Sequence, residues 1–320
     1  MLLEDAECLN AGYGSNLTQD GEVECDASII TGNDTAFGSV GAVSGIQNPI
    51  RLARAILDYS LKPDPLGRIP PMMLVSSGAL SFARSQNLDP VSPHQLISPR
   101  ARKEWERWSL ELTNAKMEMP HDTTGIDAAN TYSPEHRTER ISIHALQDTV
   151  GAIAWSTGGA PCAGVSSGGL LLKSSGRVGE PYMEQVVGPS GTTASQSVAW
   201  RAVYLVVINA LVGAGEYIIQ AALARSLSDA LGSSSEGDTH EIIQQVLDQY
   251  VHVDRRPDVN TIPDIGMLVF TEEESLDGYA TPRLWCAFTT ESMAVAYASS
   301  IDSKPKVKLL HEVTYALTEP

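Results

Sequence analysis

A threonine hydroxyl attacks a carbonyl only when a base takes its proton, and a threonine at a free N-terminus carries that base as its own α-amino group. That amine titrates at about 7.7 to 8.0 in model peptides, so a useful fraction is unprotonated near neutrality. Cutting the bond between Asp148 and Thr149 in Asp148-Thr149-Val150-Gly151 would create such a terminus at the head of the apolar run TVGAIAW, with Gly151 leaving room for close backbone approach. On its own the tetrapeptide reads first as a loop-to-strand junction. A second hydroxyl pattern, Gly164-Val165-Ser166-Ser167-Gly168, fits the GxSxG nucleophile elbow and would make Ser166 the nucleophile of an α/β-hydrolase. That motif needs a strand, a sharp turn and a helix, whereas Gly176 stops the following LLLKSSG early and no Asp-then-His order completes a triad.

Other site classes leave little trace. The seven histidines form no HExxH or comparable set, and GSVGAVSG has neither a Walker lysine nor a Rossmann spacing, so no metal and no cofactor is implied. The four cysteines include no CxxC pair, which points to free thiols in a reducing compartment. A formal net charge of -17 repels a phosphate backbone and argues against nucleic acid or an anionic membrane as primary partner. The opening MLLEDAECLN lacks a basic n-region, and no apolar run reaches the roughly 18 residues of a membrane span. A soluble intracellular protein is expected, cytoplasmic or nuclear. The cluster Arg100-Ala101-Arg102-Lys103 could serve as a nuclear signal, although Glu104 and Glu106 favour a solvated helix face.

The elements that must position this chemistry come in blocks of strands and helices rather than in a sustained strand-helix alternation. The 320 residues, 42% hydrophobic, suffice for one substantial core or two modest ones. GEVECDASII and AFGSVGAV read as strands, then a helix with Asn48 as N-cap, Pro49 at its first position and Ile50, Ala53, Ile56 and Leu57 on one face. PMMLV reads as a buried strand feeding the helix SGALSFARSQ. From about Pro90 to Gln147 the composition turns charged, predicting an exposed loop with one helix around Arg100 to Met117. EYIIQAALARSLSDAL predicts a helix stopped by Gly232, DTHEIIQQVLDQYV a helix capped by Asp238, and IGMLVF, RLWCAF and MAVAYAS predict strands.

Asn10-Ala11-Gly12-Tyr13-Gly14-Ser15, followed by GEVECDASI and FGSVGAVSGIQNP, resembles in order and spacing the α-subunit half of the plant-type asparaginase and threonine aspartase (taspase) family of N-terminal-nucleophile hydrolases. Val165-Ser166-Ser167-Gly168-Gly169 and Gly176-Arg177-Val178-Gly179 resemble the β-subunit half. Asp148 before the nucleophile, where asparaginases usually carry Gly, and Thr289-Thr290-Glu291-Ser292-Met293 look more like the threonine aspartases. The resemblance covers most of the chain except roughly 92–146 and 181–209.

It implies an α+β fold, a four-layer αββα sandwich formed by one domain over residues 1–320 and lacking the family's first strand. Self-cleavage would divide it into an α-subunit, 1–148, with an exposed loop about 92–147, and a β-subunit, 149–320; two such heterodimers would pair. Thr149 matches the nucleophile, Ser167 the second hydroxyl that positions it, and Arg177 the group that grips a substrate carboxylate, for which a guanidinium is well shaped. Asn10 matches an asparagine kept close to the nucleophile, or simply caps a turn before Gly12. Gly213 and Gly215 match the Gly-x-Gly whose backbone N–H stabilises an oxyanion. Val212 stands where the family has Thr or Ser, removing one donor there. Glu180 stands where an asparaginase holds its substrate's α-ammonium with Asp. The activity implied is a threonine endopeptidase cleaving after aspartate in protein substrates. The alternatives are an asparaginase or isoaspartyl peptidase on small substrates, and a truncated or degenerate member without activity.

Overall fold

Glycine-punctuated apolar runs pair into sheets in the computed structural model, which describes residues 1–31, 36–118, 149–156, 161–179, 186–188, 201–208, 214–233, 238–252, 265–274, 280–300, 302, 304–311 and 315–317. Strands β1 (Cys25–Thr31), β2 (Phe37–Val43), β3 (Met73–Val75), β4 (Val150–Ala154) and β5 (Cys162–Ser167) form a five-stranded sheet in the order β3-β2-β1-β5-β4. Its pairs are antiparallel except β2 with β3. Strands β6 (Val186–Gly188), β7 (Arg201–Ile208), β8 (Gly266–Glu274), β9 (Ala280–Phe288) and β12 (Tyr315–Leu317) form a second, antiparallel sheet in the order β12-β9-β8-β7-β6. Between β9 and β12 the chain makes a separate hairpin of β10 (Met293–Tyr297) and β11 (Lys306–Leu310).

The first sheet has two distinct faces. Helix α1 (Pro49–Ser60) covers β1 and β2, and helix α2 (Ser76–Ser85) covers β2. Here Ala27, Val40, Leu52, Ala53 and Ile56 are wholly buried, and each large aliphatic side chain removed from water contributes about 1.5–3 kcal/mol. The opposite face meets the second sheet: Ile30, Ala163 and Val165 pack with Ile153 and with Leu268 of β8. Beyond the second sheet, α5 (Leu223–Ser233) lies on β7, with α4 (Ala214–Ala221) and α6 (Thr239–His252) beside it.

Several expectations need correction. Asn48 precedes α1 as predicted, but its side chain makes no cap bond; it reaches Asp5 Oδ1 at 3.0 Å. The first-turn amide of Ile50 donates instead to Glu4 Oε1 at 3.0 Å, a cap supplied from a distant part of the chain. The stretch read as a buried strand is an edge, since β3 pairs only with β2 among the described residues and leaves Met72 54% and Val75 45% exposed. The helix expected around Arg100 to Met117 is present as α3 (Pro99–Glu118), its start pinned by Arg100 Nη2 on Gly14 O and Trp105 Nε1 on Thr18 O at 2.8 Å. Arg100 is thereby committed to structure, while Arg102 and Lys103 stay exposed. Residues 119–148 lie outside the described residues.

Asp238 does cap α6, its Oδ1 accepting the His240 amide at 2.8 Å. The helix predicted across EYIIQAALARSLSDAL is two helices, broken at Ala222, and the second runs through Gly232 to Ser233. Ala222 takes φ 45, a left-handed conformation that costs an L residue about 1–2 kcal/mol. The break lets Ile218 of α4 and Leu223, Leu227 and Leu231 of α5 all reach the core containing Met267, Val269 and Trp285. Burial offsets the backbone cost, and nothing local in the sequence announces it. Ala222→Gly should therefore raise the unfolding free energy by about 1 kcal/mol in a urea titration. Equal or lower stability would show that the left-handed turn carries no strain.

Candidate active site

Register brings the hydroxyls together. Along β5, Ala163, Val165 and Ser167 alternate onto the face toward the second sheet, while Gly164 and Ser166 point toward α1. Val150 pairs with Ser166, so one step earlier Thr149 lies opposite Ser167, and on the other side Asp26 of β1 pairs with Ser167. Thr149, Ser167 and Asp26 thus form a polar row across three neighbouring strands, at the end of the inter-sheet core. The Thr149 hydroxyl donates to Ser167 Oγ at 3.0 Å, and the Gly169 amide donates to the same oxygen at 3.0 Å.

Ser166 is excluded as an elbow nucleophile. It sits inside a regular strand on the helix-covered face, is buried, and donates to Glu4 Oε1 at 2.8 Å. The strand runs into the Gly168-Gly169 turn instead of a helix.

Asn10 holds that turn from behind. Its Nδ2 donates to Gly169 O at 2.9 Å, its carbonyl accepts the Gly168 amide at 2.8 Å, and its Oδ1 accepts the Asn16 amide at 2.9 Å. Asn10 thus braces its own loop and, through Gly169, the oxygen that faces Thr149. Gly168 has no room for a side chain: a Cβ there would lie 2.4 Å from Asn10 Oδ1 and 2.6 Å from Ser15 Cβ.

Arg177 follows Gly176, whose φ of 84 only glycine takes freely. Its side chain is 16% exposed, and its Nε donates to Glu216 Oε1 at 2.7 Å while Nη2 reaches Glu216 Oε2. Glu216 thus takes one edge of the guanidinium. The remaining Nη1 lies toward Gly169, 3.0 Å from where a Cβ would stand. An incoming carboxylate can use that Nη1 edge on the side of the hydroxyl pair.

Two further buried ionisable groups line this corner. Lys173, 4% exposed, donates from Nζ to Glu24 O at 2.7 Å. Asp26 is fully buried and accepts the amides of Ala42 and Gly179, both at 2.8 Å. Burial pushes the Asp26 carboxyl above the usual carboxylate range, while Lys173, the two amides and Arg177 pull it back. Its neighbour Cys25 has a thiol pushed up to about 11, chiefly by burial, although Ser15 Oγ lies 3.1 Å from its sulfur.

Gly215 is buried at the second position of α4, where backbone amides have no intrahelical acceptor. Asp148, Glu180, Val212 and Gly213 lie outside the described residues. In the TTESM segment Thr289 closes the end of the β8–β9 pair, its Oγ1 accepting the Ile265 amide at 2.9 Å, and Thr290 serves a turn, its Oγ1 donating to Ser292 O at 2.8 Å.

The asparaginase family profile matches residues 1–255. The chain belongs to the asparaginase family. This is a family of hydrolases within the N-terminal-nucleophile superfamily. A plant-type L-asparaginase of Thermococcus kodakarensis is 32% identical over 244 residues, covering 74% of this chain and 65% of its own. An isoaspartyl peptidase/L-asparaginase of Bos taurus is 32% identical over 199 residues, 60% of this chain and 54% of its own. One from Mus musculus is 29% identical over 257 residues, 78% and 62% respectively. The chain thus spans between about half and two-thirds of the length of these asparaginase relatives.

Sequence reasoning missed Asp26, Lys173, Glu216 and Glu4. A carboxylate inside the otherwise apolar strand CDASII was a usable signal, since a buried acid demands partners. Glu216, directly after Gly-x-Gly, was another. Gly168→Ala should lower stability by about 1–3 kcal/mol and slow any reaction of Thr149, because Asn10, Ser15 and the Ser167 turn must all shift. Gly78→Ala is the matched control: it lies in α2 with nothing within 4 Å of its Cβ position and should gain about 0.5–1 kcal/mol. Chemical denaturation of the pair measures both, and equal stabilities would remove the close-approach argument.

Proposed function

We propose that this asparaginase-family chain cuts itself between Asp148 and Thr149 and then hydrolyses amides of aspartate-like substrates through the new N-terminal threonine. The contact that carries the reading is Thr149 Oγ1 at 3.0 Å from Ser167 Oγ, with the Arg177 guanidinium beside the same turn. In the uncut chain the Thr149 hydroxyl attacks the Asp148 carbonyl; the amide nitrogen leaves as the free α-amine, and water hydrolyses the resulting ester. That amine then serves as base. It takes the hydroxyl proton as Thr149 Oγ attacks the substrate carbonyl and returns it to the departing ammonia or amine. Water releases the acyl group. Gly213 and Gly215 are the proposed oxyanion donors, and Glu180 is the proposed partner of the substrate's amino group.

The carboxylate gripped by Arg177 sets the substrate class. In asparagine, the side-chain amide carbonyl is separated from the α-carboxylate by two carbons. In a peptide, the carbonyl that follows an aspartate is separated from its side-chain carboxylate by the same two carbons. One fork and one nucleophile can therefore serve either. The relatives are named as asparaginases and isoaspartyl peptidases, which favours small β-aspartyl amides. A second reading, a threonine endopeptidase acting on proteins with an internal aspartate, is favoured by Asp148: the chain's own processing site would be such a bond. The TTESM segment does not separate the two, since its threonine hydroxyls bond to nearby backbone groups. The order of helices, sheet, sheet and helices supports a four-layer αββα sandwich, which cleavage would divide into subunits 1–148 and 149–320.

Intact mass of the purified protein beside Thr149→Val tests the reading. Two fragments with Thr149 leading the second, absent from the variant, are expected. A persistent single chain in both would leave a non-processing family member. Ammonia release from L-asparagine is the expected activity, lost in the variant. Cleavage of an internal-aspartate peptide without ammonia release would establish the endopeptidase instead.

A further inference from the structure

Glu24, which directly precedes β1, and Asp26, the second residue of β1, stand two residues apart in the chain. Each accepts a backbone amide from the loop that bears Arg177: Gly176 N donates to Glu24 Oε2 at 2.7 Å and Gly179 N to Asp26 Oδ2 at 2.8 Å. A third tie is Lys173 Nζ on Glu24 O at 2.7 Å. Within the loop, the Arg177 amide closes a turn on Ser174 O at 3.0 Å. Arg177 is thus held by the glycine amide before it and the amide two residues after it, both against the strand whose Asp26 pairs with Ser167. Glu216 fixes the far end of the same side chain.

We infer that Glu24 and Asp26 form a carboxylate clamp, two positioning residues that set the place of the Arg177 guanidinium relative to the Thr149–Ser167 pair and thereby determine affinity for a substrate carboxylate. The inference rests on the reading of Arg177 as a carboxylate fork. A carboxylate suits the task because an N–H bond to a charged acceptor is about twice as strong as one between neutral groups. Asp26 also needs both oxygens, one for Ala42 N and one for Gly179 N. An asparagine offers one acceptor oxygen and presents donors at the other position, so one of these amides would lose its partner. Lys173 and Arg177 balance the buried charge of Asp26 from the loop side, and Glu24 and Cys25 directly precede it in the chain.

The test uses the full chain and succinate, whose two carboxyl groups have the carbon spacing shared by both substrate readings. Succinate affinity is measured by calorimetry for wild type, Asp26→Asn, Glu24→Gln and Arg177→Lys, beside kcat and KM for L-asparagine. The clamp variants should weaken succinate binding and raise KM by about tenfold, with kcat falling much less; a merely structural fault would lower kcat and active fraction together. Glu24 is only half-buried, so Glu24→Gln keeps the test valid should Asp26→Asn fail to fold. Unchanged affinity and KM in Glu24→Gln, while Arg177→Lys weakens both, would overturn the clamp and leave the fork. Failure of wild type to bind succinate would remove the fork and the clamp with it. Succinate binding that depends on Arg177, Glu24 and Asp26 without any turnover would retain the clamp and sink the enzymatic reading.

Discussion

Side-chain alternation along β5 is the constraint on which everything else depends. Ser167 faces the second sheet and Ser166 faces α1 because successive strand residues point to opposite faces. A slip of one residue between β4 and β5 would place Val150 opposite Ser167 and turn the Thr149 hydroxyl to the opposite face. The register is secured by apolar residues on both faces, with Ala163, Val165 and Ile153 toward the second sheet and Ala27 toward α1. The same packing that stabilises the first sheet therefore aligns Thr149, Ser167 and Asp26.

Around that row the chain concentrates the two signs of charge. The protein is strongly acidic, at -17, yet the corner next to Thr149 is built from Arg177 and Lys173, with Asp26 and Glu216 as their counter-charges. Buried ions persist only when paired or hydrogen-bonded. Each of these groups also has a backbone or side-chain partner at hydrogen-bond distance. The result is a corner of paired opposite charges, in which Glu216 takes the Nε and Nη2 edge of Arg177.

What could be read in the sequence followed from local chemistry. The strand after Thr149, the Pro49 start of α1 and the Asp238 cap of α6 are signals contained within a few residues, and the structure has them. The parts that escaped depend on partners far apart in the chain. Glu4 caps α1 across 46 residues, and Asp26 reaches Gly179 across 153. The helix break at Ala222 carries no glycine or proline to mark it and arises from the shape of the core beneath. The PMMLV run looked interior because it is apolar, but β3 lies at the sheet edge. The GxSxG match at Ser166 failed for a reason a spacing pattern cannot express, namely which face of a strand the serine occupies.

Cys25 stands directly beside Asp26 in the strand that supports this corner, and sulfur is intrinsically the better nucleophile than a threonine oxygen. Its full burial pushes the thiol up to about 11, which disfavours the reactive thiolate. Oxidants and alkylating reagents should accordingly find the exposed Cys8 well before it. The fold in this way acts as a chemical filter, carrying a softer element within its central strand and shielding it from solvent.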